Sequence, residues 1–225
     1  MPRRSRSDSC REAVEQPPDR DLPSVYPFVA GEVLGRCRPS DGLWVDLGAG
    51  TGGVGIELAR ACSGAVLLID PDEDALRRAA VRAEQEGLGG RVAAVVGRAE
   101  ALPIRGGVAM LVASRGSVFF WDSPVAGLRE VHRVLRPGGK AMIGGGLGED
   151  YPQWAREEFT RRRHESVRSR GAEAWAEFQR VRDPQTFDGW AREAGLSDFT
   201  VTGEGARAPS APDAGPGIWL RFTKA

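Results

Sequence analysis

Lysine is almost missing from this chain of 225 residues: Lys140 and Lys224 are the only two, and arginine supplies the rest of its 31 basic side chains. The 31 acidic residues cancel them, so the formal charge is zero. That excludes the broad positive field that draws nucleic acid irrespective of its sequence. A small, roughly neutral partner fits such a surface better. Cysteine is scarce as well. Cys10, Cys37 and Cys62 are odd in number and far apart. They lack the short paired spacing of a zinc site or a disulfide framework, and reduced thiols in a cytosol fit them best. The opening "MPRRSRSDSCREAVEQPPDR" has the twin arginines of an export signal without the apolar run that must follow, and no later stretch is apolar enough to span a bilayer. A cytoplasmic protein is expected, with residues 1–20 a disordered tail. With 41% hydrophobic residues, the remainder, 21–225, suffices for one core and reads as a single domain.

What is present is an alternation of short apolar runs with longer periodic ones. Leu43 to Leu47, Ala65 to Ile69, Val92 to Val96, Val108 to Ala113 and Lys140 to Ile143 read as buried strands. Helical patterns cover Val54 to Cys62, Asp72 to Glu86 and Pro124 to Leu135, the last closed by "RPGGK". Strand followed by helix, repeated, predicts a parallel sheet covered on both faces. After Gly146 comes a helical insert, 151–181, with Trp154, Phe159, Val167, Trp175 and Phe178 as its apolar positions; it reads as a cap. A helix over Asp183 to Ala194 follows. "FTVTGEG" and "GIWLRFTK" read as closing strands around a Pro/Gly/Ala-rich loop, Ala206 to Pro216, expected to be mobile. There is no internal repeat.

The stretch "WVDLGAGTGGVGIELAR" runs strand, glycine turn, helix, which sets the turn at the carboxyl edge of the sheet, where open α/β folds bind ligands. Glycines there let the backbone pass close under a flat ligand, and the new helix offers N–H groups. Gly48 to Gly53 also satisfies the dinucleotide fingerprint, with Asp70 about twenty residues on. Asp46 separates the two readings. Two residues before the first glycine, its carboxylate would face a pyrophosphate and repel it by a few kcal/mol at an effective dielectric near 20. A ligand bringing an ammonium and a sulfonium is attracted instead, and Asp70 at the end of "AVLLID" accepts from two ribose hydroxyls in either case.

Four segments in one order then carry a resemblance: "VDLGAGTG", "LLIDPDEDALRRA", "VGRAEALPI" and "EVHRVLRPGGKAMI". From about Tyr26 onward the chain resembles a class I S-adenosylmethionine-dependent methyltransferase. The resemblance implies a Rossmann-like, doubly wound, mostly parallel sheet with a reversed last strand, here carrying a helical cap insert. The cofactor implied is S-adenosylmethionine, with S-adenosylhomocysteine as product, and the partner is a small-molecule acceptor. Asp46, Gly48, Ala49, Gly50, Thr51 and Gly52 would surround the methionine part, Asp70 would hold the ribose and Pro71 would lie by the adenine. Arg98 stands where the family often has an acid for the adenine amino group. A guanidinium cannot accept a hydrogen bond, so beside Arg98 that role passes to the Ala99 backbone or to Glu100.

"SRGSVFFWD", Ser114 to Asp122, follows strand four and opens beside the expected methyl group, with Ser114 on the cofactor side. It is not the Asn-Pro-Pro-Tyr type of motif that grips a base amine, and it holds no cysteine nucleophile, which argues against a nucleic-acid acceptor. It does not begin with a metal-binding aspartate, and no metal is expected. Arg115 is a candidate to grip a carboxylate of the acceptor or of the cofactor, against the alternative of a sheet-edge ion pair. Ser117, Trp121, Tyr26 and Trp154 are candidate acceptor contacts, although an aromatic run such as Phe119 to Trp121 is more often core. Arg115 and His164 of the cap are the candidate catalytic residues. "RRRH", Arg161 to His164, reads as a solvated face, since Glu157 and Glu158 precede Arg161 and Arg162 at i,i+4 spacing. A noncatalytic S-adenosylmethionine-binding protein and an NAD-dependent oxidoreductase are the alternative functions.

Overall fold

The computed structural model describes residues 21–203 and 217–225. The expected N-terminal tail, Cys10 and the expected mobile loop lie outside the described residues. Those residues form seven strands in one sheet and seven α-helices. In chain order the elements are α1 Tyr26–Cys37, β1 Leu43–Leu47, α2 Gly53–Ala61, β2 Val66–Asp70, α3 Glu73–Gln85, β3 Val92–Val96 and β4 Ala109–Arg115. After a 3-10 turn at Ser117–Phe120 come α4 Pro124–Val134, β5 Leu135–Gly145, α5 Gln153–Arg168, α6 Ala172–Arg180, α7 Pro184–Glu193, β6 Phe199–Gly203 and β7 Ile218–Thr223.

The sheet order is β3-β2-β1-β4-β5-β7-β6, parallel from β3 to β5, with β7 antiparallel to both of its neighbours. This is the doubly wound arrangement with one reversed strand that the sequence leads one to expect. The apolar strands are buried on two sides because each face has its own core. On one, α1, α2 and α3 supply Val33, Ile56 and Leu76; on the other, α4 and α7 supply Leu128, Val131 and Phe187. The helices start where short polar side chains cap them. Asp72 accepts from Ala75 N, Ser123 from Ala126 N and Asp183 from Gln185 N, and the last two precede prolines at the first helical position.

Most bounds shift from the sequence reading by a residue, and three departures are larger. Strand β4 continues past Ala113 through Ser114 and Arg115, which pair with Ile143 and Gly144. Strand β5 starts at Leu135 rather than Lys140: Leu135 pairs with Ala109 and Lys140 with Leu111, and a register shift accommodates the intervening Pro-Gly-Gly. The insert is two helices, broken at Gly171, whose φ of 105° few other residues adopt. It is anchored at its base, where Tyr151 and Ala155 pack on Val25 and Leu147, and the Tyr151 hydroxyl donates to Pro23 O at 2.9 Å.

Candidate active site

The glycine turn leaves the carboxyl end of β1 and is pinned to β2 by its own backbone: Gly48 N and Ala49 N both donate to Ile69 O, at 2.7 and 3.1 Å. Gly48, Gly50 and Gly52 have φ of 72°, 52° and 78°. Gly48 has a second constraint, because a Cβ there would lie 2.0 Å from the Ser117 Cβ. At Gly50 a Cβ would meet nothing within 4 Å, so the turn is bare toward open space. Thr51 at its tip is exposed.

Two carboxylates flank the turn. Asp46 is 2% exposed, and its Oδ2 accepts from Gly55 N at 2.7 Å, satisfying an N–H in the first turn of α2, whose cap residue Gly52 has no side chain to offer. Gly55 is the residue that permits this, since a Cβ there would sit 2.2 Å from Leu68 and 3.0 Å from the carboxylate. Burial pushes the Asp46 carboxyl up to about 7, the neighbouring Asp70 adds to the rise, and the Gly55 N–H and the Arg115 charge oppose it. Asp70 is half-buried at the end of β2. Its Oδ2 accepts from Gly50 N and its Oδ1 from Asp72 N, both at 2.8 Å, which fixes the carboxylate between the glycine turn and the start of α3.

At the end of β4, Ser114 is 1% exposed, with its Oγ 2.6 Å from that of Ser117. Ser117 Oγ also donates to Leu47 O at 3.0 Å and accepts from Trp121 Nε1 at 3.1 Å. The Trp121 ring fills the space that a Cβ on Gly127 would take. The polar atoms of Ser117 and Trp121, read from the sequence as acceptor contacts, thus serve a network that holds the 3-10 turn beneath the glycine turn. Arg115 Nε donates to Gly146 O at 2.8 Å, and its guanidinium lies over the Tyr26 ring, 5.7 Å from the centroid. Tyr26, in the first turn of α1, packs against Gly53. Tyr26 and Arg115 therefore meet beside the turn.

Pro71 is exposed just past Asp70. Arg98 is exposed and paired with Asp122, with Glu100 at 3.8 Å. The Glu100 Oε1 accepts from Ser123 N at 3.2 Å, and Ala99 is buried. This clip joins the segment after β3 to the one after β4. It engages Asp122, and no group of three or more His, Cys, Asp and Glu among the described residues could hold a metal ion.

In the cap, Trp154 is 58% exposed on α5. The His164 ring stands edge-on to Trp175 and Phe178, at 5.0 and 5.8 Å between centroids. Arg161 and Arg162 form the expected solvated network, with Glu158 at 2.6 and 2.5 Å, Glu165 at 2.8 Å from Arg161 and Asp21 at 2.8 Å from Arg162. Glu157 instead accepts from Gln153. The next residue, Arg163, is on the other side of the helix, over Phe178, and Arg182 lies between the rings of Phe119 and Phe178, 3.9 Å from each centroid. The sequence reading missed both. A signal existed for Arg163: its i−4 and i+4 neighbours are Phe159 and Val167, the inward stripe of α5.

The profile of a methyltransferase domain family matches residues 45–139, the span from the glycine turn to the Pro-Gly-Gly bulge. Over 158 residues the chain is 28% identical to the chloroplastic 2-methyl-6-phytyl-1,4-hydroquinone methyltransferase of Arabidopsis thaliana, an alignment covering 70% of this chain and 40% of that protein. The chain thus spans well under two thirds of the length of this relative. Among solved structures, one from Methanococcus maripaludis, provisionally assigned as an S-adenosyl-L-methionine-dependent methyltransferase, superposes with a TM-score of 0.72 at 28% identity, over 89% of this chain and 85% of that one. A Thermotoga maritima S-adenosylmethionine-dependent methyltransferase, described as a possible histamine N-methyltransferase, shares the fold with a TM-score of 0.57 at 23% identity, over 89% and 91% of the two chains.

Proposed function

We propose that this chain, which belongs to the class I S-adenosylmethionine-dependent methyltransferases, moves a methyl group from S-adenosylmethionine to a small-molecule acceptor and releases S-adenosylhomocysteine. The observation that carries the reading is the bare glycine turn held between two carboxylates fixed by backbone N–H groups, Asp46 beneath it and Asp70 beside it. The residues fit the cofactor. A buried acid whose charge is held back by desolvation gains from a cationic ligand, and the Asp70 oxygens keep lone pairs for hydroxyl donors.

When bound, the cofactor supplies a methyl carbon already activated by its sulfonium. The chain's part is to hold, orient and exclude water. Gly48 to Gly52 bring the backbone close, Asp46 attracts positive charge, and Asp70 orients a ribose. Pro71, Ala99 and Glu100 flank the adenine side, with Arg98 tying Glu100 to Asp122. Arg115 and Tyr26 stand at the acceptor's approach, and the cap covers it. Orientation of this kind lowers a barrier by roughly 7 to 11 kcal/mol at best. Where the acceptor nucleophile arrives protonated, His164 is the cap residue we assign to accept the proton, a contribution of about 10²- to 10⁴-fold. Trp154 extends the cap's apolar surface toward solvent.

The hydroquinone named for the plant relative makes phenolic small molecules a reasonable first panel. The balanced charge speaks against nucleic acid, Cys37 and Cys62 as buried free thiols suit a reducing cytoplasm, and no helix among the described residues is long and apolar enough to cross a membrane. Incubation with methyl-labelled S-adenosylmethionine and a small-metabolite extract, followed by mass spectrometry, tests the reading. A labelled product supports it; cofactor binding with no product from any extract would favour a noncatalytic binder.

A further inference from the structure

Nothing in the methyl-transfer scheme explains two arginines, Arg163 in the cap and Arg182 just past its end. Arg182 is clamped between the rings of Phe119 and Phe178. Its Nη1 reaches Phe178 O at 3.4 Å, but its Nε is buried without a hydrogen-bond partner. The Nε–Nη2 edge, which can present two parallel N–H donors to an oxyanion, is thus unused by the protein. Arg163 is half-buried beside it, 6.0 Å from the same Phe178 ring, and makes no ion pair among the described residues. Burial lowers the proton affinity of each guanidinium. Arg163 adds to this at Arg182, and Arg170 and Arg115 add to it at Arg163. Guanidinium groups nevertheless stay charged. Two half-buried like charges with no carboxylate between them are costly, and ring faces offset only a part of that cost. Phe119 links the pair to the reaction side, since the 3-10 turn it belongs to begins at Ser117, which lies against Gly48 of the glycine turn.

We propose that Arg163 and Arg182 form an oxyanion subsite under the cap, and that the methyl acceptor is an acid whose carboxylate or phosphate group is held there while its nucleophile faces the glycine turn. The anion site stands on the cap geometry alone; naming its ligand as the acceptor rests on the methyl-transfer reading. The subsite makes the acceptor differ from a neutral phenol.

Benzoate and phenyl phosphate, with benzamide as the neutral counterpart, titrated calorimetrically into the full chain saturated with S-adenosylhomocysteine at fixed ionic strength, test this. At least one anion should bind about tenfold or more tightly than benzamide, and Arg163→Gln and Arg182→Gln should each weaken it by about tenfold, the scale of a lost charge-assisted hydrogen bond. Arg163→Gln should not lower the melting temperature and should leave the S-adenosylhomocysteine affinity unchanged, and it carries the test if Arg182→Gln fails to fold. Equal binding of anions and benzamide, no binding of either anion, or undiminished binding in Arg163→Gln overturns the proposal and leaves Arg182 a packing clip between two rings. If S-adenosylhomocysteine itself does not bind, the methyl-transfer reading falls, and the same titrations without it still decide the anion site.

Discussion

Replacing Asp46 with asparagine keeps an oxygen for the Gly55 N–H and removes only the charge. The carboxyl is pushed from an ordinary 3.8 up to about 7, chiefly by burial, which corresponds to roughly 4 kcal/mol against the ionised form. The sign follows. An acid whose folded value is raised binds its proton more tightly in the native state, so Asp46 lowers stability progressively as pH rises from about 4 to about 7, and the full penalty applies above that. A unit positive charge brought within about 5 Å recovers roughly 3 kcal/mol at an effective dielectric near 20. Binding of S-adenosylmethionine should therefore release a proton near neutrality, and its affinity should rise from pH 6 to pH 8. In Asp46→Asn the rise should vanish, the affinity at pH 8 should fall by about ten- to a hundredfold, and the unliganded variant should melt no lower than the parent at that pH. Calorimetric titrations in two buffers of different ionisation enthalpy read the proton directly. An unchanged affinity at pH 8, or the same pH dependence in the variant, would refute the role of this charge.

Other expectations follow from the same geometry. Gly48→Ala should unfold or strongly destabilise the protein, because its Cβ would overlap Ser117, whereas Gly50→Ala has free space and should cost stability only about 1–2 kcal/mol from its positive φ while lowering cofactor affinity. Circular dichroism melts and titrations on the pair separate the two effects. Arg115→Lys should lose the Nε bond to Gly146 O and weaken an anionic acceptor while S-adenosylhomocysteine binding holds, and a weaker cofactor instead would mean that Arg115 grips the methionine carboxylate. Hydrogen exchange over residues 151–181 should slow when both ligands bind, most in α6, which has no buried residue of its own, and unchanged exchange would make the cap a static surface.

Much of this architecture was legible because local patterns and tertiary demands agree. The bounds of β1 and β3 match the apolar runs Leu43 to Leu47 and Val92 to Val96, and the glycine turn announces its own strained backbone. Where reading failed, the deciding partner was remote. Ser114 and Arg115 join β4 because Ile143 and Gly144 pair with them, which the turn-like "SRGS" does not reveal. Trp121 and Ser117 read as acceptor contacts, but their hydrogen bond to each other, and that of Ser117 to Leu47 O, 70 residues earlier, use their polar atoms inside the fold. The position of Arg182 depends on Phe119 from the 3-10 turn and Phe178 from α6, a coincidence of two distant segments with no local signature. "RRRH" reads in sequence as one solvated face, and helical geometry divides it: Arg161 and Arg162 turn to carboxylates, Arg163 to an aromatic ring.

The central claim is that the glycine turn between Asp46 and Asp70 binds S-adenosylmethionine. Titration of the cofactor into the wild-type chain and into Asp70→Asn, each checked by its melting temperature, tests it most directly. One equivalent should bind to the wild type, raising its melting temperature, with an affinity at least about tenfold weaker in Asp70→Asn on loss of charge-assisted hydrogen bonds. No heat and no stabilisation at millimolar cofactor, or equal binding by the two proteins, would contradict it.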